Sequence, residues 1–261
     1  MQVSSNSPLL WYKLANSLKD SHMKAFEAQP SVTRDMTTFR EKIGEVRSVD
    51  DLMKNRTLLT MVLSAFQLES EIDKPAMVRK ILTEDPADKK SLVNRLVEPR
   101  WTKLATALQG LKSDPEFFQK EANINAILAG YRTNEFEKYE GEKADGVREA
   151  LYFKRMAGGV ETLSQIMADK TLMHVVRVGL GLPESFQSLE YAQQRDRLEK
   201  QINIEDFKDP EKIEKMIQRF LIYTEINNTD ATANPILSLF QPINRDGGFI
   251  GPQPIQVNLF V

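Results

Sequence analysis

The sequence predicts an all-α protein: two related helical repeats, an internal duplication, packed as one globule or as two lobes, with a flexible C-terminal tail. Three observations predict it. A run of 35 residues matches a second run of the same chain without a gap. Apolar residues recur at spacings of three and four over most of the first 226 positions, the period of an amphipathic helix. No stretch alternates with period two for long enough to make a sheet.

The match pairs residues 34–68 with residues 148–182, an offset of 114. Nine of the 35 pairs are identical, among them Arg34/Arg148, Phe39/Phe153, Gly44/Gly158, Thr57/Thr171 and Leu68/Leu182, where roughly two would follow from average composition. Chance likeness between amphipathic helices would explain shared apolar positions. It would not explain Arg34/Arg148 or Thr57/Thr171, which periodicity does not demand. The organisation that follows is an N-terminal helix over 1–30, a first helical repeat over 31–112, a helical connector over 113–147, a second helical repeat over 148–226 and a Pro/Gly-rich tail over 227–261.

In chain order, Leu9 to Ala28 reads as one amphipathic helix closed by Pro30. Ser48-Val-Asp-Asp51 and Thr162-Leu-Ser-Gln165 each place an acceptor side chain three residues after a hydroxyl, the pattern that caps a helix start; the second has the better acceptor. A further helix follows at Thr57 and at Thr171, with its apolar stripe on Leu58, Leu59, Val62 and Phe66, and on Leu172, Met173, Val176 and Leu180. Gly181 followed by Pro183 terminates the second of these. Gly44 and Gly158 fall in the turns before the caps. Downstream, Asp85-Pro86 can be laid on Asp209-Pro210. A competing alignment starts from Asp114-Pro115 and sets Tyr131 opposite Tyr223. In either, Asp-Pro reads as a helix start. Helices are also expected over Trp101 to Leu111, Phe117 to Leu128 and Glu184 to Ile202, the last burying Phe186, Leu189, Leu198 and Ile202.

Composition narrows function by exclusion. The chain has 261 residues, 35 Lys plus Arg against 37 Asp plus Glu, and a net charge of -2, so no basic excess points to nucleic acid. It has no cysteine, which excludes disulfides, cysteine nucleophiles, thiolate zinc sites and iron–sulfur clusters. Met1 to Trp11 has no basic segment of the kind that opens a secretory signal. The uncharged run Thr57 to Leu68 is too short to span a bilayer. No membrane insertion is expected, and the cytoplasm is the default location, with export by a dedicated secretion machine left open.

Chemistry is sparse. His22 and His174 stand apart with no metal-ligand spacing, and both read as surface or rim residues; Thr60 occupies the position matching His174. Gly158-Gly159 and Gly179-Leu-Gly181 fit helix ends, not phosphate loops. Acidic pairs such as Asp50/Asp51 and Glu69/Glu71 are solvated residues by default. The glycosylation pattern Asn55-Arg-Thr57 lies between two helices and is discounted. No catalytic, cofactor-binding or metal residue is assigned, and no cofactor. The candidate partner-binding residues are Phe240, Phe249, Ile250, Leu259 and Phe260, large apolar side chains in a tail with little charge. A partner groove would bury each for about 1.5–3 kcal/mol, as would the chain's own core if the tail folds back.

The residues carrying the duplication also resemble a known family. Asp35-Met-Thr-Thr-Phe39-Arg-Glu-Lys-Ile-Gly44 through Leu52 is similar to its opening signature, as are Leu58 to Leu68 and Asn94-Arg95-Leu96. Further matches are Tyr131-Arg132-Thr133, Phe136-Glu137, Gly179 to Phe186, and Asp209-Pro210 to Leu221. The family is an uncharacterised alphaproteobacterial one of unknown function, found in flagellar gene clusters. The resemblance spans residues 34–225 and departs at Gln67, where the family has glycine, which predicts a less sharply defined end for that helix. It implies an all-helical fold and supplies no catalytic residues. The expected function is a non-enzymatic structural or assembly factor acting through protein contacts in flagellar biogenesis or motility, with flagellar basal-body or export components as the expected partners and association with, or export through, the flagellar apparatus left open. The alternatives are a cytoplasmic regulatory adaptor or export chaperone, and an enzyme with a carboxylate site between the lobes.

Overall fold

Among the described residues five helices start on a proline, at Pro8, Pro30, Pro75, Pro99 and Pro210, where the missing N–H is one that no helix would use. The computed structural model describes residues 7–228. Among these there are thirteen α-helices and short 3-10 turns but no strand: α1 (Pro8–Ser17), α2 (Lys19–Glu27), α3 (Pro30–Ile43), α4 (Val49–Lys54), α5 (Arg56–Ala65), α6 (Pro75–Thr83), α7 (Pro99–Ala107), α8 (Glu121–Gly141), α9 (Val147–Met156), α10 (Leu163–Ala168), α11 (Lys170–Gly179), α12 (Tyr191–Glu199) and α13 (Pro210–Asn228). No described helix is long and apolar enough to cross a membrane.

The matched segments have matching elements. Advancing α4 and α5 by 114 residues lands on the bounds of α10 and α11. Ser48 and Thr162 cap α4 and α10, and only Thr162 closes the reciprocal capping box through Gln165. Asn55 and Asp169 cap α5 and α11, which open at Arg56 and Lys170, one residue ahead of the expected Thr57 and Thr171. Asn55 Oδ1 accepts from the Leu58 N–H at 3.1 Å, so the side chain in the discounted glycosylation pattern is a helix cap.

Two apolar cores result. The first gathers Phe39, Leu52, Leu58, Val62, Trp101 and Phe118 from α3–α8 and the turns between them. The second gathers Phe153, Ile166, Val176, Phe186 and Phe220 from α9–α13 and the turns between them, and draws in Tyr12 of α1. A small third cluster joins Phe26 and Val32 to Phe136. α5 packs along α8 and α11 packs along α13. Residues 113–147 are therefore more than a connector: Phe118, Ile124, Ile127 and Leu128 belong to the first core.

Several elements differ from their sequence reading. The helix expected over Leu9 to Ala28 breaks at Leu18, because α1 turns Tyr12 into the second core whereas α2 turns Phe26 to Phe136. Pro30 opens α3 as well as closing the segment before it. The segment Glu184 to Ile202 splits into a 3-10 turn, Glu184–Ser188, and α12; Gln194 Nε2 donates to the Leu189 carbonyl at 2.7 Å across the break. Phe186 and Leu198 are buried there, and Leu189 and Ile202 partly so. The helix expected over Trp101 to Leu111 is α7 ending at Ala107, followed by a 3-10 turn over Gln109–Lys112. Gly110 in that turn admits the Phe117 ring, since a Cβ there would stand 2.7 Å from it. The helix expected from Phe117 starts at Glu121 and runs to Gly141. Of the three Asp-Pro pairs only Asp209-Pro210 opens a helix. Asp85 and Asp114 make the same side-chain bond to the N–H two residues on, but each closes a turn.

Candidate functional site

Between the two cores runs a polar seam. α5 contributes Ser64, and the turn after it Gln67 and Glu69; α7 contributes Arg100; α8 contributes Asn134, Glu135, Glu137 and Lys138. The second segment answers with Arg148, Tyr152 and Arg155 of α9 and with Asp169. Arg155 grips Glu137 with two hydrogen bonds, of 2.7 and 3.0 Å. Glu137 also accepts from Gln67 Nε2 at 2.8 Å. Arg148 reaches Glu69 at 3.4 Å. The Tyr152 hydroxyl donates to Asp169, Arg100 Nε lies 3.9 Å from the same carboxylate, and Arg100 also pairs with Glu98. Burial of the phenol, reinforced by the Asp169 charge, raises the Tyr152 pKa well above its ordinary value. Burial likewise holds Glu98 above the usual carboxylate range, with Asp169 and Glu71 adding to it against the Arg100 charge.

The backbone at Gln67 explains how the turn enters the seam. α5 ends in a Schellman motif: Leu68 N–H donates to Leu63 O at 2.8 Å and Gln67 N–H to Ser64 O at 2.9 Å, with Gln67 at φ 58°. α11 ends the same way through Gly181, at φ 70°. The helix end at Gln67 is therefore as sharply defined as at Gly181, contrary to the expectation from its missing glycine. A non-glycine residue is strained in this region, by about 1–2 kcal/mol. Here the side chain bonds Glu137 and the Gln67 carbonyl accepts from Arg100 Nη1 at 2.7 Å, so both ends of the residue are held.

Two openings reach the seam. A groove of about 550 Å³ is lined by Asp35, Met61, Ser64, Glu69, Tyr131 and Glu135 among others. A smaller cavity of about 120 Å³ is lined by Gln67, Arg100, Arg148, Glu149, Tyr152 and Thr171. The Glu69–Arg148 pair links them. Among the described residues no group of three or more His, Asp or Glu could hold a metal ion.

Both histidines are half-buried, as rim residues are, but each has specific neighbours. His22 Nδ1 lies 3.0 Å from Oε1 of Glu140, a fully buried carboxylate whose other oxygen accepts from the Trp11 indole at 2.9 Å. The ring of His174 meets Phe220 edge-on at 5.5 Å. Burial, together with the Arg177 charge, lowers the His174 pKa against the weaker pull of Glu149 and Glu184. The folded chain thus binds fewer protons here than the unfolded chain. Stability is expected to fall as pH drops below the ordinary histidine value near 6.5 and to be flat above it. Urea unfolding at about pH 7.5 and about pH 5.5 checks this: His174→Thr should flatten the difference, and an unchanged difference would remove His174 as its cause.

The five tail residues Phe240, Phe249, Ile250, Leu259 and Phe260 lie outside the described residues. None of the seam was assigned from sequence, although one signal was present. Along α8, Ile124, Ile127, Tyr131 and Asn134 follow apolar spacing, and Asn134 stands where that spacing asks for an apolar side chain.

A family model described as "Protein of unknown function (DUF1217)" matches residues 65–213, more than half of the chain. A crystal structure of an Agrobacterium tumefaciens protein, a structural genomics target, is similar at 32% sequence identity and a TM-score of 0.73, covering 88% of this chain and 99% of that one. No curated protein matches.

Proposed function

The chain belongs to this family of proteins of unknown function, DUF1217, and from that premise we propose that it is a non-enzymatic structural or assembly factor acting through protein contacts. The observation that carries the reading is a set of exposed leucines on α1 and at the break that follows it. Leu10, Leu14 and Leu18 repeat every four residues and are 69%, 40% and 47% exposed. Leu10 and Leu14 fall along one face of α1, Leu18 follows at its C-cap, and burying each against a partner contributes up to about 1.5–3 kcal/mol. The inward residues of α1, Tyr12 with Leu9 and Trp11 beside it, are already used by the second core, so this outward face is left for contacts beyond the described fold.

The process we assign, from the sequence resemblance, is flagellar biogenesis or motility. A crosslinked pull-down from motile cells tests both statements, with the intact chain and with Leu10→Ser/Leu14→Ser/Leu18→Ser. Flagellar components recovered with the intact chain and lost with the variant are the expected result. Equal recovery by both would sink the leucine contact, and no flagellar component with either would sink the process. A single stoichiometric client in the cytoplasm would turn the reading to an adaptor or export chaperone. A second reading, an enzyme using carboxylates between the lobes, draws support from Glu98, held above the usual carboxylate range beside Asp169 and Arg100.

A further inference from the structure

We propose that the cleft of about 230 Å³ between the corner of α1 and α2 and the pair α8 and α9 is a binding site for a short aliphatic carboxylate, its stem inside and its charge at the rim. The site goes beyond the protein-contact reading and uses none of the exposed leucines.

The break at Leu18 makes the corner. Asn16 before it and Lys19 and Met23 after it line the cleft together with residues of α8 and α9. Phe136 of α8, 3% exposed, is the floor. Met23 packs with Phe136 in the third apolar cluster, and Leu151 of α9 packs against the second core. Both are partly buried, so the cleft lies where these two apolar surfaces meet without closing. Protein interiors are packed without such gaps, and apolar walls left facing water forgo contacts that a hydrocarbon would supply. A water takes up about 30 Å³ of liquid and a methylene is about as large, so the cleft has room for a stem of about six carbons.

The polar groups of the cleft decide the sign of the ligand's charge. Thr133 and Glu137 are spent within the protein. The Thr133 hydroxyl donates to the Ala129 carbonyl at 2.9 Å. Both oxygens of Glu137 accept from Arg155, and one of them also from Gln67. Arg155 and Glu137 therefore cancel, which leaves the ammonium groups of Lys19 and Lys154. Lys154 Nζ donates to Asn16 Oδ1, a neutral acceptor, at 2.8 Å. The Glu214 carboxylate stands off from it at 3.6 Å and already accepts the Tyr12 hydroxyl. Lys19 has no carboxylate within ion-pair distance among the described residues. The cleft thus carries surplus positive charge in a chain whose net charge is -2. A cationic ligand would meet two ammonium groups, and a neutral one would leave their protons unused. A carboxylate accepts from both, while lysine stems lie along apolar walls and keep their heads at the rim.

Isothermal titration of the full-length protein with hexanoate tests the site, with 1-hexanol as a probe lacking the charge and acetate as one lacking the stem. The expected result is saturable binding of hexanoate with Kd below about 1 mM, hexanol at least fivefold weaker, and no binding of acetate. Lys19→Gln should weaken hexanoate about threefold, since one exposed charge is lost, and Lys19→Gln/Lys154→Gln should weaken it about tenfold. The Lys19 side chain makes no bond within the described fold, so Lys19→Gln should keep the thermal midpoint of the parent and its weaker binding reports the site. A flat hexanoate titration overturns the proposal. So does equal binding of hexanol or of acetate, or unchanged affinity in Lys19→Gln.

Discussion

Replacing Asp169 by alanine is expected to destabilise the protein by about 3–5 kcal/mol, the range for breaking one side of a buried charged network. The residue is fully buried. Its Oδ1 accepts from the N–H groups of Thr171 and Leu172 at 2.9 and 3.0 Å, which caps α11. Its Oδ2 accepts the Tyr152 hydroxyl and faces Arg100. Alanine removes the cap, worth about 1 kcal/mol, leaves a buried phenol without an acceptor, and leaves Arg100 with Glu98 as its remaining carboxylate partner. Asp169→Asn keeps an oxygen for the cap and removes the charge, so it should cost about half as much. For a chain of this size the alanine variant should melt roughly 10 °C lower. Thermal denaturation followed by circular dichroism decides it, and a loss below about 1 kcal/mol would mean that the seam does not couple the cores as described.

Glu137→Ala is expected to cost about 3 kcal/mol, nearer the lower end of the same range. Glu137 is 4% exposed and accepts from both Arg155 and Gln67, so its removal strands a guanidinium and an amide. The moderation comes from Arg155, whose side chain is 38% exposed and recovers part of its hydration. Removing both charges with Glu137→Leu/Arg155→Leu should cost less than Glu137→Ala alone, because no unpaired charge remains. Additive losses across the double-mutant cycle would show that the two residues act independently.

These two residues show where the reading of the sequence stopped. Asp169 aligns with Asn55 in the internal match, and both cap the helix that follows. That local role follows from residue type and position. Yet Asp169 is fully buried and Asn55 is not, because the neighbours that cover Asp169 come from α7 and α9. Glu137 lay inside a segment singled out by family resemblance, with no property that marked it as buried. The His22 environment was missed for the same reason: Glu140 stands 118 residues away in sequence.

What the sequence determined by itself was local. Helical periodicity, the hydroxyl caps at Ser48 and Thr162, the glycine stop at Gly181 and the proline at the start of α13 all act within about one helical turn. What only the tertiary structure decided was which polar groups lie inside. Ser64 with Glu135 and Gln67 with Glu137 meet across 71 and 70 residues. Glu137, bonded to both Gln67 and Arg155, joins the two segments of the match. A side chain's burial and charge partners depend on surfaces brought from distant parts of the chain, and helical spacing carries no record of which surface will arrive.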